Sequence, residues 1–157
     1  MKKIISTIIL LFFFSIFFFS CDSNRIFEEN KEIPEGSWDR SNKISFETSI
    51  DDTNQIYNVY INIRNASQYA YSNLYIFLTT KFPDGTFAKD TLNCGLQNET
   101  GHWAGKGLGD LWESKILFKP MVKFRQKGKY VFEYEQGMRL EKLANITDVG
   151  LRIEKAE

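Results

Sequence analysis

Apolar and polar residues alternate along most of the chain beyond residue 43, which is the pattern of β-strands with one buried face. The clearest example is IYNVYINIR, residues 56–64, in which apolar side chains recur at every second position. Similar patterns predict strands at residues 44–50, 73–82, 86–92, 112–118, 130–135 and 149–155. With seven or eight short strands and no long helical period, the sequence predicts an all-β protein, an antiparallel β-sandwich of jelly-roll or immunoglobulin-like topology.

One predicted strand, NLYIFLTTKF at residues 73–82, is apolar on both faces, because Tyr75 and Phe77 occupy the face opposite the aliphatic residues. A strand of this kind is typical of the middle of a sheet that is covered on both sides. The turn residues Pro83, Asp84 and Gly85 follow it and predict a hairpin with the next strand.

The first 20 residues follow a different pattern. Lys2 and Lys3 precede an uncharged, phenylalanine-rich run over residues 4–20. This order is typical of a secretory signal peptide that is cleaved from the mature chain. The run is also just long enough to cross a membrane as a helix, so a retained anchor and ordinary secretion are the alternative interpretations.

Cys21 ends the uncharged run, and the chain becomes charged directly after it. Residues 18–21, Phe-Phe-Ser-Cys, resemble a lipobox, the cleavage site of bacterial lipoproteins, in which a small residue precedes the cysteine that receives the lipid. We therefore predict a lipoprotein signal peptide over residues 1–20. We also predict a lipid, with palmitate among its acyl chains, on Cys21, through which the protein contacts the membrane.

The remaining sequence divides into a linker and one domain. Residues 22–36, DSNRIFEENKEIPEG, are polar, show no period and contain Pro34 and Gly36. We interpret residues 21–37 as the lipidated N-terminus and a flexible tether, and residues 38–157 as the β-sandwich domain.

The amino-acid composition narrows the range of functions that the protein can have. The chain has 20 basic and 20 acidic residues, and loss of Lys2 and Lys3 with the signal peptide leaves a net charge near −2. Such a balance gives no electrostatic basis for binding nucleic acid. With a lipid on Cys21, the remaining cysteine, Cys94, has no partner for an internal disulfide, and it is either a buried core residue or a reactive thiol.

The most conspicuous loop sequence is GHWAGKGLGDLW, residues 101–112. It does not fit a phosphate-binding loop, because Asp110 and Leu111 follow the last glycine where Lys and Ser or Thr are needed. We interpret it as a long loop between strands that contacts a partner. The candidate interaction residues of this loop are His102, Trp103, Lys106 and Trp112.

Little in the sequence points to catalysis. His102 is the single histidine, which excludes a multi-histidine metal site and leaves one candidate base without a nucleophile beside it. Adjacent acids such as Asp51 and Asp52 point to opposite faces of a strand and do not make a glycosidase pair. We predict no catalytic residue, no metal and no cofactor, and hence a protein that is not an enzyme.

Two features of the sequence suggest a relation to carbohydrate, the first as a bound ligand and the second as a covalent modification. Exposed aromatic residues stack on sugar rings, so Tyr69, Tyr71 and Trp103 suggest an alternative function as a carbohydrate- or peptidoglycan-binding sandwich. Asp90-Thr91-Leu92 resembles the short acceptor motif for O-glycosylation in Bacteroidetes envelope proteins, which makes Thr91 a candidate modification site.

The C-terminal third, GKYVFEYEQGMRLEKLANITDVGLRIEK at residues 128–155, resembles the hallmark end of GldH, a family of gliding-motility lipoproteins of Bacteroidetes. Further similar pieces are the signal ending at Cys21, NVYINIRNASQYAYSNLYIF at residues 58–77, the PDG turn followed by DTL, and GHWAGKGLGD at residues 101–110. The resemblance covers nearly the whole chain and preserves the order of these pieces.

The resemblance implies an outer-membrane lipoprotein that is needed for gliding and for the type IX secretion machinery coupled to it. Other gliding or secretion proteins of the cell envelope are then the expected partners, and no catalytic residue or cofactor is implied. Surface-bound Bacteroidetes lipoproteins often carry an acidic run after the lipidated cysteine. Here one acid is followed by Arg25, which favours a domain that faces the periplasm.

Overall fold

The computed structural model describes residues 22–156, and within them the chain forms eleven β-strands and one 3₁₀ turn. The strands are β1 (Arg25–Glu32), β2 (Ser37–Asp39), β3 (Ile44–Ile50), β4 (Tyr57–Ala66), β5 (Asn73–Lys81), β6 (Phe87–Gly95), β7 (Lys106–Leu108), β8 (Leu111–Val122), β9 (Gly128–Gln136), β10 (Lys142–Ala144) and β11 (Ile146–Lys155). Because β2, β7 and β10 have three residues each, eight longer strands form the framework of the fold.

These strands form two sheets and one short ribbon. A five-stranded sheet has the order β1-β11-β4-β8-β7, and a four-stranded sheet has the order β3-β9-β5-β6. β2 and β10 form the two-stranded ribbon, and every pairing is antiparallel. The prediction of an all-β, antiparallel sandwich is therefore confirmed.

The core lies between the two sheets, where the inward-facing residues of β3, β4, β5, β9 and β11 are buried. Along β9, for example, Tyr130, Phe132 and Tyr134 are buried, and the ring of Tyr134 packs 5.1 Å from that of Phe46 on β3. Trp38 of β2 is fully buried, and its indole N–H donates to the Asn42 carbonyl at 2.9 Å. The alternation in the sequence is thus the direct cause of the two-layer architecture.

The prediction of a flexible tether over residues 21–37 is wrong for most of that range. Arg25–Glu32 forms β1, which pairs with β11 at the edge of the five-stranded sheet. Ile33 is buried, and a 3₁₀ turn at Pro34–Gly36 leads into β2. The folded domain therefore begins before residue 38. The predicted signal peptide and Cys21 lie outside the described residues.

β1 has no alternating apolar face because it lies at the margin of the sandwich. Lys31 occupies a position where an apolar residue is expected, and its side chain lies over the ring of Phe46, 5.3 Å from the centroid. Its ammonium group donates to the carbonyl of Ser45 at 2.6 Å. A lysine stem can cover apolar surface in this way while its charge stays hydrated, so the strand is polar in sequence.

The strand pairings define two ends of the sandwich. We call the end that holds residues 22–24 the N-terminal end, and it also contains the connections 51–56, 82–86 and 123–127. The far end contains residues 67–72, 96–105, 109–110 and 137–141. The predicted interaction loop therefore lies at the end opposite residue 22.

The expectation that β5 is covered on both faces is wrong for its second face. β5 does lie inside the four-stranded sheet, between β9 and β6. Tyr75 and Phe77, however, are 40% and 44% exposed on the outer surface. Phe87 of β6 adds a third exposed aromatic ring to this outer face.

Candidate interaction surface

Much of the predicted interaction loop is a β-hairpin rather than an irregular loop. Lys106–Leu108 and Leu111–Val122 pair as β7 and β8, and they are joined by Gly109 and Asp110. Gly109 has a φ of 62°, which glycine adopts at no steric cost in a tight hairpin turn. The hairpin extends the five-stranded sheet at the far end.

Trp112 holds this hairpin in place. Its ring lies against Gly107 of the paired strand, so closely that a β-carbon on Gly107 would come within 2.8 Å of the ring. The indole N–H of Trp112 donates to the hydroxyl of Ser67 at 3.1 Å. The glycine at position 107 thus makes room for an aromatic ring, and Trp112 packs onto the edge of the sandwich, as the interpretation of this segment as a loop between strands allows.

His102 and Trp103 lie in the connection between β6 and β7. The Asn98 carboxamide oxygen accepts from the backbone N–H groups of Thr100 and His102, at 3.0 and 2.9 Å, and so fixes a turn. His102 is exposed at this turn, and its Nδ1 lies 2.8 Å from the hydroxyl of Thr100. Trp103 is half-buried and forms a β-bridge with Gln97.

The tip of the hairpin carries an apolar surface that the sequence interpretation missed. Leu108 is 85% exposed and Leu111 is 38% exposed, with Gly109 and Asp110 between them. Lys106 is exposed at the start of the same hairpin. A Gly-Asp pair between two leucines is a recognised hairpin signal, so this part of the sequence did contain the information. We call Lys106, Leu108 and Leu111 the hairpin tip.

The aromatic residues that suggested carbohydrate binding pack mainly on the protein itself. Tyr69 is buried, and its hydroxyl donates to the Asn73 carbonyl at 3.0 Å. Burial raises the pKa of the Tyr69 phenol well above its usual value. The rings of Tyr71 and Trp103 lie 5.6 and 6.4 Å from that of Tyr69. Tyr69 is therefore not available for stacking on a sugar.

Thr91 and Cys94 both belong to β6 but face opposite sides of the sheet. Thr91 is exposed on the outer face, opposite Phe77 of β5, where a modifying enzyme can reach it. Cys94 is buried, and burial raises the pKa of its thiol to about 12. A thiol with such a pKa has almost no nucleophilic thiolate at neutral pH, so Cys94 is a core residue.

The outer face of the five-stranded sheet is covered by an ion-pair network centred on Arg152. The guanidinium of Arg152 contacts the carboxylates of Asp22, Glu28 and Glu154, and its side chain is 13% exposed. Lys115 adds a contact to Glu154 at 2.6 Å. The network therefore ties residue 22 to β1, β11 and β8.

The network also shifts the pKa values of its members. Partial burial alone would raise the pKa of Glu154, but the hydrogen bonds from Lys115 and Arg152 outweigh burial and lower it. The pKa of Glu28 is lowered in the same way, against burial, by Arg25 and Arg152. These carboxylates are ionised at neutral pH, and we assign them a structural role.

Within residues 22–156, neither a cluster of potential metal ligands nor a helix of sufficient length and hydrophobicity to cross a membrane is found. The fold and its exposed features thus define a β-sandwich domain whose candidate surfaces are suited to contacts with other molecules.

Comparison with known proteins places this domain in a family. Residues 25–153 match the model of the family described as GldH lipoprotein. The chain is 40% identical to the gliding motility lipoprotein GldH homolog of Christiangramia forsetii, over 95% of this chain and 96% of that protein. It is 34% identical to the gliding motility lipoprotein GldH of Flavobacterium johnsoniae, over 94% and 96%. The chain belongs to the GldH lipoprotein family, which confirms the resemblance seen in the sequence.

Among solved structures, the domain is similar to the VP2 subviral particle of infectious bursal disease virus. The TM-score is 0.36 at 14% identity, and the match covers 85% of this chain and 33% of the viral chain. This likeness is too weak to carry a structural or functional argument.

Proposed function

We infer that the chain is a non-enzymatic interaction component of the gliding-motility machinery and of the associated type IX secretion system. It is attached to the outer membrane through a lipid on Cys21, and its domain faces the periplasm. The observation that carries this proposal is the similarity to named gliding motility lipoproteins over nearly the full chain.

The geometry of the N-terminus supports an anchor at residue 21. Asp22 is bound to Arg152, and the carbonyl of Asn24 accepts from the backbone N–H of Lys155 at 2.8 Å. Successive Cα atoms are about 3.8 Å apart, so a lipid on Cys21 would lie directly beside the folded domain. The domain would then sit on the bilayer with its N-terminal end down and the hairpin tip pointing away.

One connection at the N-terminal end, residues 123–127, is basic, whereas the connections beside it carry Asp51, Asp52 and Asp84. Lys123, Arg125 and Lys127 are exposed at alternate positions between β8 and β9, and none of them forms an ion pair within residues 22–156. Each cation near an anionic leaflet contributes about 1 kcal/mol to attraction. This segment can therefore contact lipid headgroups beside the anchor.

The test of the proposal is the variant Cys21→Ser in a gliding host. We expect the variant to lose incorporation of labelled palmitate with its melting temperature unchanged, because residue 21 precedes the folded domain. Colony spreading should be lost, as in a strain that lacks the gene. Cys94→Ser is the matched control, since it removes the other thiol, and that protein should keep the palmitate label. Equal palmitate labelling of Cys21→Ser and the parent chain would contradict a lipid on Cys21, and normal spreading without the gene would refute the motility role.

The hairpin tip gives a second, more local prediction. Leu108→Ser should reduce recovery of crosslinked partner proteins by about fivefold, equivalent to about 1 kcal/mol. The reason is that the substitution removes apolar surface that a bound partner would bury. The measurement is quantitative mass spectrometry after purification through a C-terminal tag. Leu117→Ser, which also alters a leucine exposed on β8, is the control. Equal recovery from the two variants would exclude the hairpin tip as the contact surface.

A further inference from the structure

The four lateral edges of the two sheets differ in how they are protected. Natural sheets blunt exposed edges with charges, proline, bulges, short strands or covering side chains, because free backbone N–H and C=O groups pair readily with another chain. β1, β3, β6 and the β7–β8 side form these edges. Three of them carry such devices.

The β1 edge is protected by charge and by a register shift. Five of its eight residues, RIFEENKE, are charged, and the register with β11 shifts between Arg25 and Phe27. The β3 edge is covered where Lys31 of β1 reaches across and donates to the Ser45 carbonyl at 2.6 Å. Charged side chains therefore flank the free edge of β1, and the Lys31 contact occupies one backbone carbonyl of β3.

The β7–β8 edge is protected by its shape. β7 has only three residues, and beyond it the register of β8 with β4 shifts twice. Pro120 and Met121 follow, and Met121 has a φ of 52°. A regular strand cannot pair along such a path.

β6 carries two charged residues, but no bulge, proline or covering side chain among the described residues interrupts its free backbone groups. Its nine residues pair with β5 in one continuous register, without proline or bulge. Within residues 22–156, no backbone hydrogen bond from a loop or another strand reaches its free side. Its charged residues are Lys89 and Asp90, and Asp90 is already paired with Lys119 of β8 at 2.8 Å.

The hydrogen bonds at both ends of the β5–β6 ladder show which groups are free. The N–H of Phe82 donates to the Thr86 carbonyl, and the N–H of Leu96 donates to the Ser72 carbonyl, each at 2.8 Å. Hydrogen-bonded and non-hydrogen-bonded pairs alternate in an antiparallel ladder. The odd-numbered residues of β6, from Phe87 to Gly95, therefore direct their N–H and C=O groups away from β5.

The side chains along this edge indicate what would pair there. On the inner side, Leu92 of β6 and Ile116 and Phe118 of β8 are only half-buried, so an added strand would cover apolar surface. On the outer side, Lys89 is exposed beside Phe87. An extended segment with alternating apolar residues and an acid opposite Lys89 is complementary to both sides.

A second copy of this chain fits less well. Antiparallel pairing of β6 with β6 of another copy uses a two-fold axis normal to the sheet, which reverses the direction of the strands. The N-terminal ends of the two copies would then point in opposite directions. Because residue 22 is held to the fold by Arg152, two copies anchored in one bilayer cannot adopt this arrangement.

We propose that the β6 edge is a docking site at which an extended segment of a different envelope protein adds a strand to the four-stranded sheet. The proposal deepens the interaction role inferred above and rests on it. A glycan on Thr91 would not block the site, since side chains stand perpendicular to a sheet whereas the pairing groups lie in its plane.

The test is site-specific photo-crosslinking in the native host with the full-length chain and benzoylphenylalanine at position 87, which replaces one exposed aromatic residue of β6 with another and keeps Lys89. Thr91→Pro removes one free N–H, which an edge strand tolerates, whereas Thr91→Val keeps it and removes only the hydroxyl. We expect a crosslink to another protein in the parent chain and in Thr91→Val, and at least about fivefold less in Thr91→Pro. Mass spectrometry should place the attached residue in an extended segment. The same crosslinker at Glu47 on β3 should give no such product.

Melting temperatures show whether the proline variants still fold like the parent chain. Thr91→Pro and a second variant, Asn93→Pro, should melt within about 4 °C of Thr91→Val, since their N–H groups are not used by β5. A large loss of stability in both proline variants would show that these groups are already paired and would overturn the proposal. A crosslink unaffected by proline, an equal product from Glu47, a dimer of this chain, or no product at all would also overturn it.

The outcome is separable from that of the proposed function. If spreading requires the gene but the crosslink does not respond to proline, the docking site fails and the motility role stands. If the crosslink is lost in both proline variants but spreading does not need the gene, the motility role fails and the docking site stands.

Discussion

A soluble chain that begins at Ile33 should melt at least about 10 °C below one that begins at Asp22, because the shortening removes β1 from the five-stranded sheet. The loss includes the backbone ladder with β11, the half-buried ring of Phe27 and the contact between Glu28 and Arg152. Even about 3 kcal/mol of lost stability corresponds to a shift of about 10 °C in a domain of this size. Circular dichroism at 217 nm, a wavelength typical of β-sheet, would follow the unfolding.

A shorter deletion is the matched control for this experiment. A chain that begins at Arg25 keeps all of β1 and should melt within about 4 °C of the chain that begins at Asp22. Equal melting temperatures for the Ile33 and Asp22 chains would mean that residues 22–32 contribute nothing to the fold. The sequence-based description of this segment as a tether would then be correct after all.

The difference between tether and strand shows what hydrophobic patterning can detect. β4 and β9 were predictable because each has one face fully buried against the opposite sheet, so apolar residues are required at every second position. β1 lies at the margin, where Lys31 can replace an apolar residue by covering Phe46 with its stem. Its pairing with β11 depends on backbone groups, which every sequence has.

For the second face of β5, the sequence pattern led to the opposite error, because it predicted burial for a face that is exposed. Tyr75 and Phe77 were expected to be buried because strands that are apolar on both faces usually lie between two covering layers. Within residues 22–156, no layer covers them. An apolar pattern in the sequence indicates that a strand face is apolar, but it does not indicate whether another part of the same chain covers that face.

The candidate interaction residues were predictable in position, and their role as contact residues stays a prediction. The sequence placed His102, Trp103, Lys106 and Trp112 in one contact loop, and the structure does bring them to one end of the sandwich. Trp112, however, is engaged with Gly107 and Ser67. Within residues 22–156, Leu108 is the most exposed large apolar residue, and although a hairpin signal follows it, one leucine among glycines has no period that indicates its exposure. Its exposure depends on the hairpin turn.

Replacing Arg152 with Met should destabilise the domain by about 2 to 3 kcal/mol at pH 7, since the substitution leaves the carboxylates of Glu28 and Glu154 partly buried without their main cation. Lys115 and Arg25 still contact these acids, which keeps the loss below that of a fully buried ion pair. The measurement is urea unfolding of the soluble domain. Lys129→Met, which removes an exposed cation 2.5 Å from Glu47, should cost less than about 0.5 kcal/mol.

The same variant makes a prediction with a definite sign in pH. The pKa values of Glu28 and Glu154 lie below their ordinary value of 4.5 in the folded protein, despite the opposing effect of burial. A lowered carboxylate pKa contributes stability that is complete above the unfolded pKa and is lost as the pH falls through the folded pKa. Arg152 stays charged throughout this range. The advantage of the parent chain over Arg152→Met should therefore be constant near pH 7 and shrink below about pH 4.5. A difference that stayed the same down to pH 3 would show that Arg152 acts through packing of its side chain and not through its charge.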